Sequence, residues 1–521
     1  MQLQLNNKFS SELPADSNET NVTRQVLNAC FSYVNPRVPS NPKLLHVSEE
    51  VAELIGLSTE EIQSQDFLDV FSGKKILAHS KPYAMAYAGH QFGNWAGQLG
   101  DGRAIVLGEI EHNNQNWMLQ LKGAGSTPYS RRADGLAVLR SSIREHLCSE
   151  AMFHLGVPTT RSLSLMLTGD EVLRDVMYNG NAEYEKGAVV CRVAPTFIRF
   201  GSFELFSAQN DIENLKKLAD FTIKYYYPEI QSEGKEKYIS FFKHVAVKTR
   251  EMIVHWQRVG FVHGVMNTDN MSILGITIDY GPYGWLEDFN HEWTPNTTDR
   301  EHRRYGFGNQ PDIALWNLLQ LANALYPLIE EASPLEAILN DFQLQYENDY
   351  SQMMHEKLGL SLQSKSDERI INELEKVLLA SETDMTLFFR ELGRIKKDHS
   401  PGCAIAIIDD AFYKPEEIKK EILKEWEKWF KTYLSRLNKE SLSDEQRKEK
   451  MDAVNPKYVL RNYMAQMAIE AANNDDYSLI IELQELLKNP YQEQPLFEKW
   501  YAKRPDWAKE KIGCSMLSCS S

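Results

Sequence analysis

The sequence predicts an α+β fold, with strands in a glycine-rich block and helices dominating the second half. Three observations carry this. From about 85 to 125 glycine is dense and alternating apolar runs fit strands. Residues 135–155 place Leu136, Leu139, Ile143 and Leu147 on one helical stripe. From about 310 onward, charged segments such as KPEEIKKEILKEWEKWFKTYL read as amphipathic helices.

The elements follow in order. Residues 1–80 read as a helical and irregular lead-in, with Pro36, Pro39 and Pro42 marking an extended stretch. Arg103–Ile110 reads as a strand, EHNNQ as a turn and Asn116–Lys122 as the next strand. In the second strand Trp117, Leu119 and Leu121 face one side, and Met118, Gln120 and Lys122 the other. A helix is predicted from Gly135 to Leu155, with Asp134 as N-cap and Gly156 and Pro158 as the stop. Glu145 lies opposite its apolar stripe, beside Val138, Ser141, Cys148 and Met152. A carboxylate on so apolar a face wants a cationic partner. Residues 186–200 read as a buried strand and a turn, and about 211–259 as helical. FVHGVMNTDNMSILGITIDYGPYGWLEDF reads as a loop–strand–loop unit.

Length and composition bound the class. The chain has 521 residues, enough for three or four domains of about 150 residues, or one large enzyme core with additions. A hydrophobic fraction of 42% and a charged fraction of 25% suit a sizeable core. Lys plus Arg number 57 against 73 Asp plus Glu, a net charge of −16. That balance argues against a nucleic-acid binder and a peripheral membrane protein, both of which need a basic face. No apolar run is long enough to span a bilayer, and the N-terminus lacks a secretory pattern. Six cysteines are too sparse for a disulfide framework, so a reducing, cytoplasmic setting is expected. Two of them, Cys514 and Cys519, crowd the C-terminus.

Four segments carry chemistry. Gly97–Arg103 is a glycine-rich turn entering a strand; Gly100 and Gly102 let backbone approach phosphate, and Arg103 can grip it bidentately. A tight turn is the plainer reading. Lys122 on a strand, with Glu145 on the following helix, matches the lysine–glutamate pair of protein-kinase-like folds. In His263–Asn270, followed by Asp279-Tyr280-Gly281, Asn270 and Asp279 occupy the metal-ligand slots of a kinase. The kinase base slot, five residues before Asn270, holds Val265, which accepts no proton. Asp269 is the nearest replacement. Arg192 and Arg199 are spaced to close on a polyphosphate, although surface exposure is the commoner fate of arginine.

Together, GHQFGNWAGQLGDGRA, LKGAGSTPYSRRADGLAVLRSSIRE, RVAPTFIRFGSFE, HGVMNTDNMSILGITIDYGPYG and the terminal SCSS resemble the selenoprotein O family, pseudokinase protein adenylyltransferases called YdiU in bacteria. The resemblance implies a two-lobed protein-kinase-like fold that binds ATP in reversed orientation. It implies Mg²⁺- or Mn²⁺-dependent transfer of AMP to protein Ser, Thr or Tyr hydroxyls. By position, Gly100, Gly102, Arg103, Lys122, Asp134 and Gly135 would contact the nucleotide, and Glu145 would pair with Lys122. Arg192 and Arg199 would hold the far end of the flipped ATP. Asp269 would accept the proton, and Asn270 and Asp279 would bind the metal. The family's tail cysteine corresponds to Cys519. Some bacterial members pair it with a cysteine after the D-Y-G segment; this chain has none there, and Cys514 is the local alternative.

The expected organisation is an N-terminal extension (1–84), a kinase-like N-lobe (85–205), a C-lobe with helical additions (206–505) and a redox tail (506–521). The alternatives are UMP transfer with Mn²⁺, a kinase transferring the γ-phosphate, and a non-catalytic nucleotide-binding redox scaffold.

Overall fold

A computed structural model describes residues 1, 3–361, 364 and 367–518. The chain is a mixed α/β structure: a main antiparallel sheet near the N-terminal end, and mostly helices, with two small hairpin-like strand pairs, elsewhere among the described residues. In the first part, β1 (Phe31–Tyr33), β2 (Lys43–Val47) and β3 (Tyr83–Met85) are interspersed with short helices α1 (Lys8–Glu12), α2 (Glu49–Leu54), α3 (Thr59–Ile62) and α4 (Gln65–Phe71). A separate hairpin, β4 (Ala88–Gln91) and β5 (Asn94–Gln98), precedes β6 (Ala104–His112) and β7 (Gln115–Lys122). After β8 (Ala137–Val138) come α5 (Leu139–His154), β9 (Arg161–Arg174) and β10 (Glu183–Ala194). The main sheet runs β1-β3-β6-β7-β10-β9-β2, with β8 alongside β10.

The β6–β7 hairpin forms because Asn113 and Asn114 both take positive φ, 51° and 60°, as a two-residue turn requires. The ladder therefore extends to His112 and Gln115, inside the longer turn the sequence predicted. Strand alternation buries both faces. Met118 joins the core shared with α5 and the helices that follow, whereas Leu119 and Leu121 pack against the segment carrying α2–α4. Each such fully buried leucine contributes about 1.5–3 kcal/mol.

Beyond the sheet lie α6 (Phe200–Ala208), α7 (Ile212–Tyr226), α8 (Lys235–Val259), β11 (Phe261–Val262), β12 (Gly284–Trp285) and α9 (Gln310–Ile329). Further helices run from Ser333–Lys357 to Ser478–Leu487, many around a second core that includes Trp426, Trp429 and Phe430. Among the described residues no helix is long and apolar enough to cross a membrane.

Three local expectations are corrected. The lead-in over 1–80 is not only helical and irregular, since β1 and β2 are strands of the main sheet. Asp134 is not a helix N-cap: α5 begins after Val138, and Asp134 instead accepts from the Leu136 N–H and pairs with Arg174. Residues 271–278 form isolated bridges, Met271 to Thr277 and Thr277 to Thr159, rather than a strand.

Candidate active site

A cleft of about 710 Å³ separates the sheet from the helical part. Its floor is set by β7 and β10, which pair side by side in the sheet. From them Lys122 and Arg192 reach toward α5 and the loop after β11. Lys122 Nζ lies 2.7 Å from Glu145 and 2.5 Å from Asp279. Arg192 reaches the same two carboxylates at 3.2 and 3.4 Å, and its Nε donates to Gln120 at 3.1 Å. Glu145 is 3% exposed, so the cationic partner its apolar helix face demanded is present twice over.

Arg199, just before α6, completes the cluster. It donates to the Asp269 carbonyl at 2.7 Å and lies 3.7 Å from Asp279, 3.8 Å from Asp101 and 4.8 Å from the Tyr87 ring. Arg192 and Arg199 are each 2% exposed and are not surface arginines. Burial works against the Asp279 charge, but Lys122, Arg192 and Arg199 outweigh it and hold this carboxyl well below the usual range. Asp101 is raised by burial, against the pull of Arg199 and Arg192.

Asp269 is different. Burial pushes it up to about 6, opposed by Arg199 and by the Gln91 hydrogen bond at 3.2 Å. Its Oδ1 is buried without a hydrogen-bond partner. Asn270 donates to the Val265 carbonyl at 2.9 Å, so the residue in the kinase base slot serves the loop through its backbone. The Asn270 and Asp279 side-chain oxygens are hard donors suited to a divalent cation that also takes phosphate oxygens, while the orphaned Asp269 Oδ1 beside them is left open to a proton.

Glycines shape the opposite wall. Gly100 has φ +90°, and a Cβ there would sit 2.4 Å from the Tyr129 ring. At Gly135, φ +73°, it would sit 2.1 Å from the Gly125 carbonyl oxygen. Only glycine fits either position. Gly102, Arg103 and Asp134 also line this cleft.

All the sequence-predicted nucleotide residues line one cavity; Glu145 stands behind Lys122, and Asn270 stands beside Asp269. The sequence reading missed Asp101, Gln120, Tyr87 and Gln91. Gln120 had a signal, since it shares a strand face with Lys122 two positions on. Cys514 is buried and free among the described residues, and burial, with Glu287 adding, pushes its thiol up to about 12. Cys519 lies outside the described residues, so a Cys514–Cys519 bridge stays a proposal.

Comparison with known proteins bears directly on this cleft. The family model described as Protein adenylyltransferase SelO matches residues 16–488. The chain belongs to the SelO family. A relative from Flavobacterium johnsoniae, named Protein nucleotidyltransferase YdiU, is 66% identical over 519 residues, covering 100% of this chain and 99% of the relative. Relatives of the same name from Rhodopirellula baltica and Azoarcus sp. are 51% and 52% identical, again over 100% of this chain and 99% of theirs. SelO membership thus covers the cleft and the elements that build it, and it makes the chain an enzyme of the nucleotidyltransferase class.

Proposed function

We propose that this chain transfers AMP from ATP to Ser, Thr or Tyr hydroxyls of proteins, in a two-lobed kinase-like framework that holds ATP reversed. The observation that carries this is the convergence of Lys122, Arg192 and Arg199 on Asp279 deep in the cleft, with Asp269 beside them and Val265 in the kinase base slot. Three buried cations gathered about Asp279 suit a leaving pyrophosphate better than a nucleoside.

The step balances simply. The acceptor hydroxyl loses its proton to Asp269, its oxygen bonds to the α-phosphorus, and the α–β bridge breaks. Pyrophosphate leaves toward Arg192, Arg199 and Lys122. Asn270 and Asp279 would hold Mg²⁺ or Mn²⁺, whose charge would neutralise phosphate oxygens as the bridge breaks. Glu145 keeps Lys122 extended into the cleft, and the Gly100–Arg103 turn brings backbone close to the phosphates. Most of the rate would come from positioning and charge, as in other phosphoryl-type transfers.

ATP analogues test this reading. One with a methylene between the α and β phosphates should be inert, whereas one with it between β and γ should still modify protein. The reverse pattern would mark a γ-phosphate kinase.

A further inference from the structure

We propose that the surface beside Asp269, built from the β4–β5 hairpin and Arg304, docks an extended segment of the acceptor protein whose reacting hydroxyl residue is flanked by an acidic residue; this rests on the transferase reading above. The hairpin is anchored to the catalytic loop through a strained turn. Phe92 and Gly93 at its tip have φ of 51° and 82°. A phenylalanine there is an outlier that its surroundings must enforce. The Phe92 N–H donates to Asn267 at 3.1 Å and to the Tyr305 hydroxyl at 3.0 Å, and its ring lies 5.3 Å from that of Tyr305. The His90 N–H donates to the Thr268 hydroxyl at 2.7 Å, and Gln91 reaches Asp269 itself. The hairpin is therefore fixed against the residues leading into Asp269.

Its outer strand faces solvent. Asn94, Trp95 and Ala96 are exposed, Trp95 by 46%, and β5 pairs with β4 alone among the described strands. A free strand edge next to a reacting centre takes an extended polypeptide through backbone hydrogen bonds. Aromatic rings continue the surface: Trp95 and Trp316 lie 5.1 and 5.5 Å from the His90 ring.

Charge chooses the segment. The Arg304 guanidinium lies 4.7 Å from the Trp316 ring and packs beside Gly93, where a Cβ would meet its Cζ at 3.3 Å. Its Nε is buried without a hydrogen-bond partner. The neighbouring Asp299 carboxylate feels the Arg304 charge but accepts from its backbone N–H, at 2.9 Å, and no side-chain ion pair closes the guanidinium off among the described residues. His90, by contrast, is already engaged with Glu204 at 2.6 Å. In a chain of net charge −16, an arginine held against Trp316 and Gly93 but not closed into an ion pair suits a carboxylate supplied by a partner.

The test uses the full chain, ATP labelled at the α-phosphate, and two synthetic peptide sets. Each peptide carries one Ser, Thr or Tyr, flanked by Asp in one set and by Lys in the other. The Asp-flanked set should be modified with kcat/KM higher by about tenfold, mostly through KM. Arg304→Glu should abolish or reverse that preference while the ATP dissociation constant and melting temperature hold. Arg304→Lys should keep part of it. Equal rates, a Lys-flanked preference, an unchanged preference in Arg304→Glu, or labelling of the chain itself without either peptide would overturn the docking proposal alone. No α-label in any protein or peptide would overturn the transferase reading with it.

Discussion

Asp269 and Asp279 are two carboxylates about one cleft that the surroundings push in opposite directions. Burial lifts Asp269 to about 6, while three cations keep Asp279 well below the usual range. The first suits a proton acceptor and the second a permanent counter-ion or metal ligand. Asp269→Asn keeps the shape and removes the acceptor, so kcat should fall by about 10²–10⁴-fold with ATP affinity little changed. Undiminished turnover would remove Asp269 from the mechanism. Asp279→Asn should lose transfer by about 100-fold or more, read in the same assay with Mg²⁺. Wild-type turnover in that variant would refute the metal-ligand assignment. The sequence makes these positions legible because Asp269, Asn270 and Asp279 fall in one short segment. Gln91 does not reveal itself, since its hydrogen bond to Asp269 spans 178 residues and no local pattern records it.

Strands and helices were readable where one pattern dominates. The alternation in Trp117–Lys122 survives because burial on both sides fixes the register, and of the predicted helical stripe Leu139, Ile143 and Leu147 lie buried on α5 whereas Leu136 precedes the helix. The start of α5 was not readable: Asp134 has the chemistry of a cap but spends it on Leu136 and Arg174. The strands β1 and β2 are short, lie in a proline-marked region, and draw their pairing from β3 and β9, far along the chain. Leu119→Ala, in the buried face of β7, should cost about 2–5 kcal/mol by chemical denaturation. A loss well under 1 kcal/mol would mean that this face is not the packed core described. A second element-level test concerns Glu109 on β6, which accepts from the Phe9 N–H at 2.8 Å and ties α1 to the sheet. Burial raises it from 4.5 to about 7. The stability linked to its protonation is complete below about 4.5 and lost as pH rises through about 7. Glu109→Gln should therefore gain on wild type between pH 5 and pH 8, by on the order of 1–3 kcal/mol. Parallel melting-temperature curves would show that this carboxyl is not raised.

Sheet and helices meet through the charge cluster of the cleft, where Lys122, Arg192 and Arg199 share Asp279 across the junction. A ligand filling that junction should stabilise the whole chain. ATP with Mg²⁺ at about 100 times its dissociation constant should add about 2.7 kcal/mol, seen as a higher melting temperature. Chelation should remove most of the rise, and Asp279→Asn should show little of it. The same rise in chelator would contradict metal-assisted binding. The central claim is that the α-phosphoryl group, with its nucleoside, is what moves. It is tested most directly by incubating the chain and a protein acceptor with ATP labelled at the α-phosphate, and in parallel with ATP labelled at the γ-phosphate. The account predicts α-label in protein and γ-label only in released pyrophosphate; γ-label in protein, with none from the α position, would contradict it.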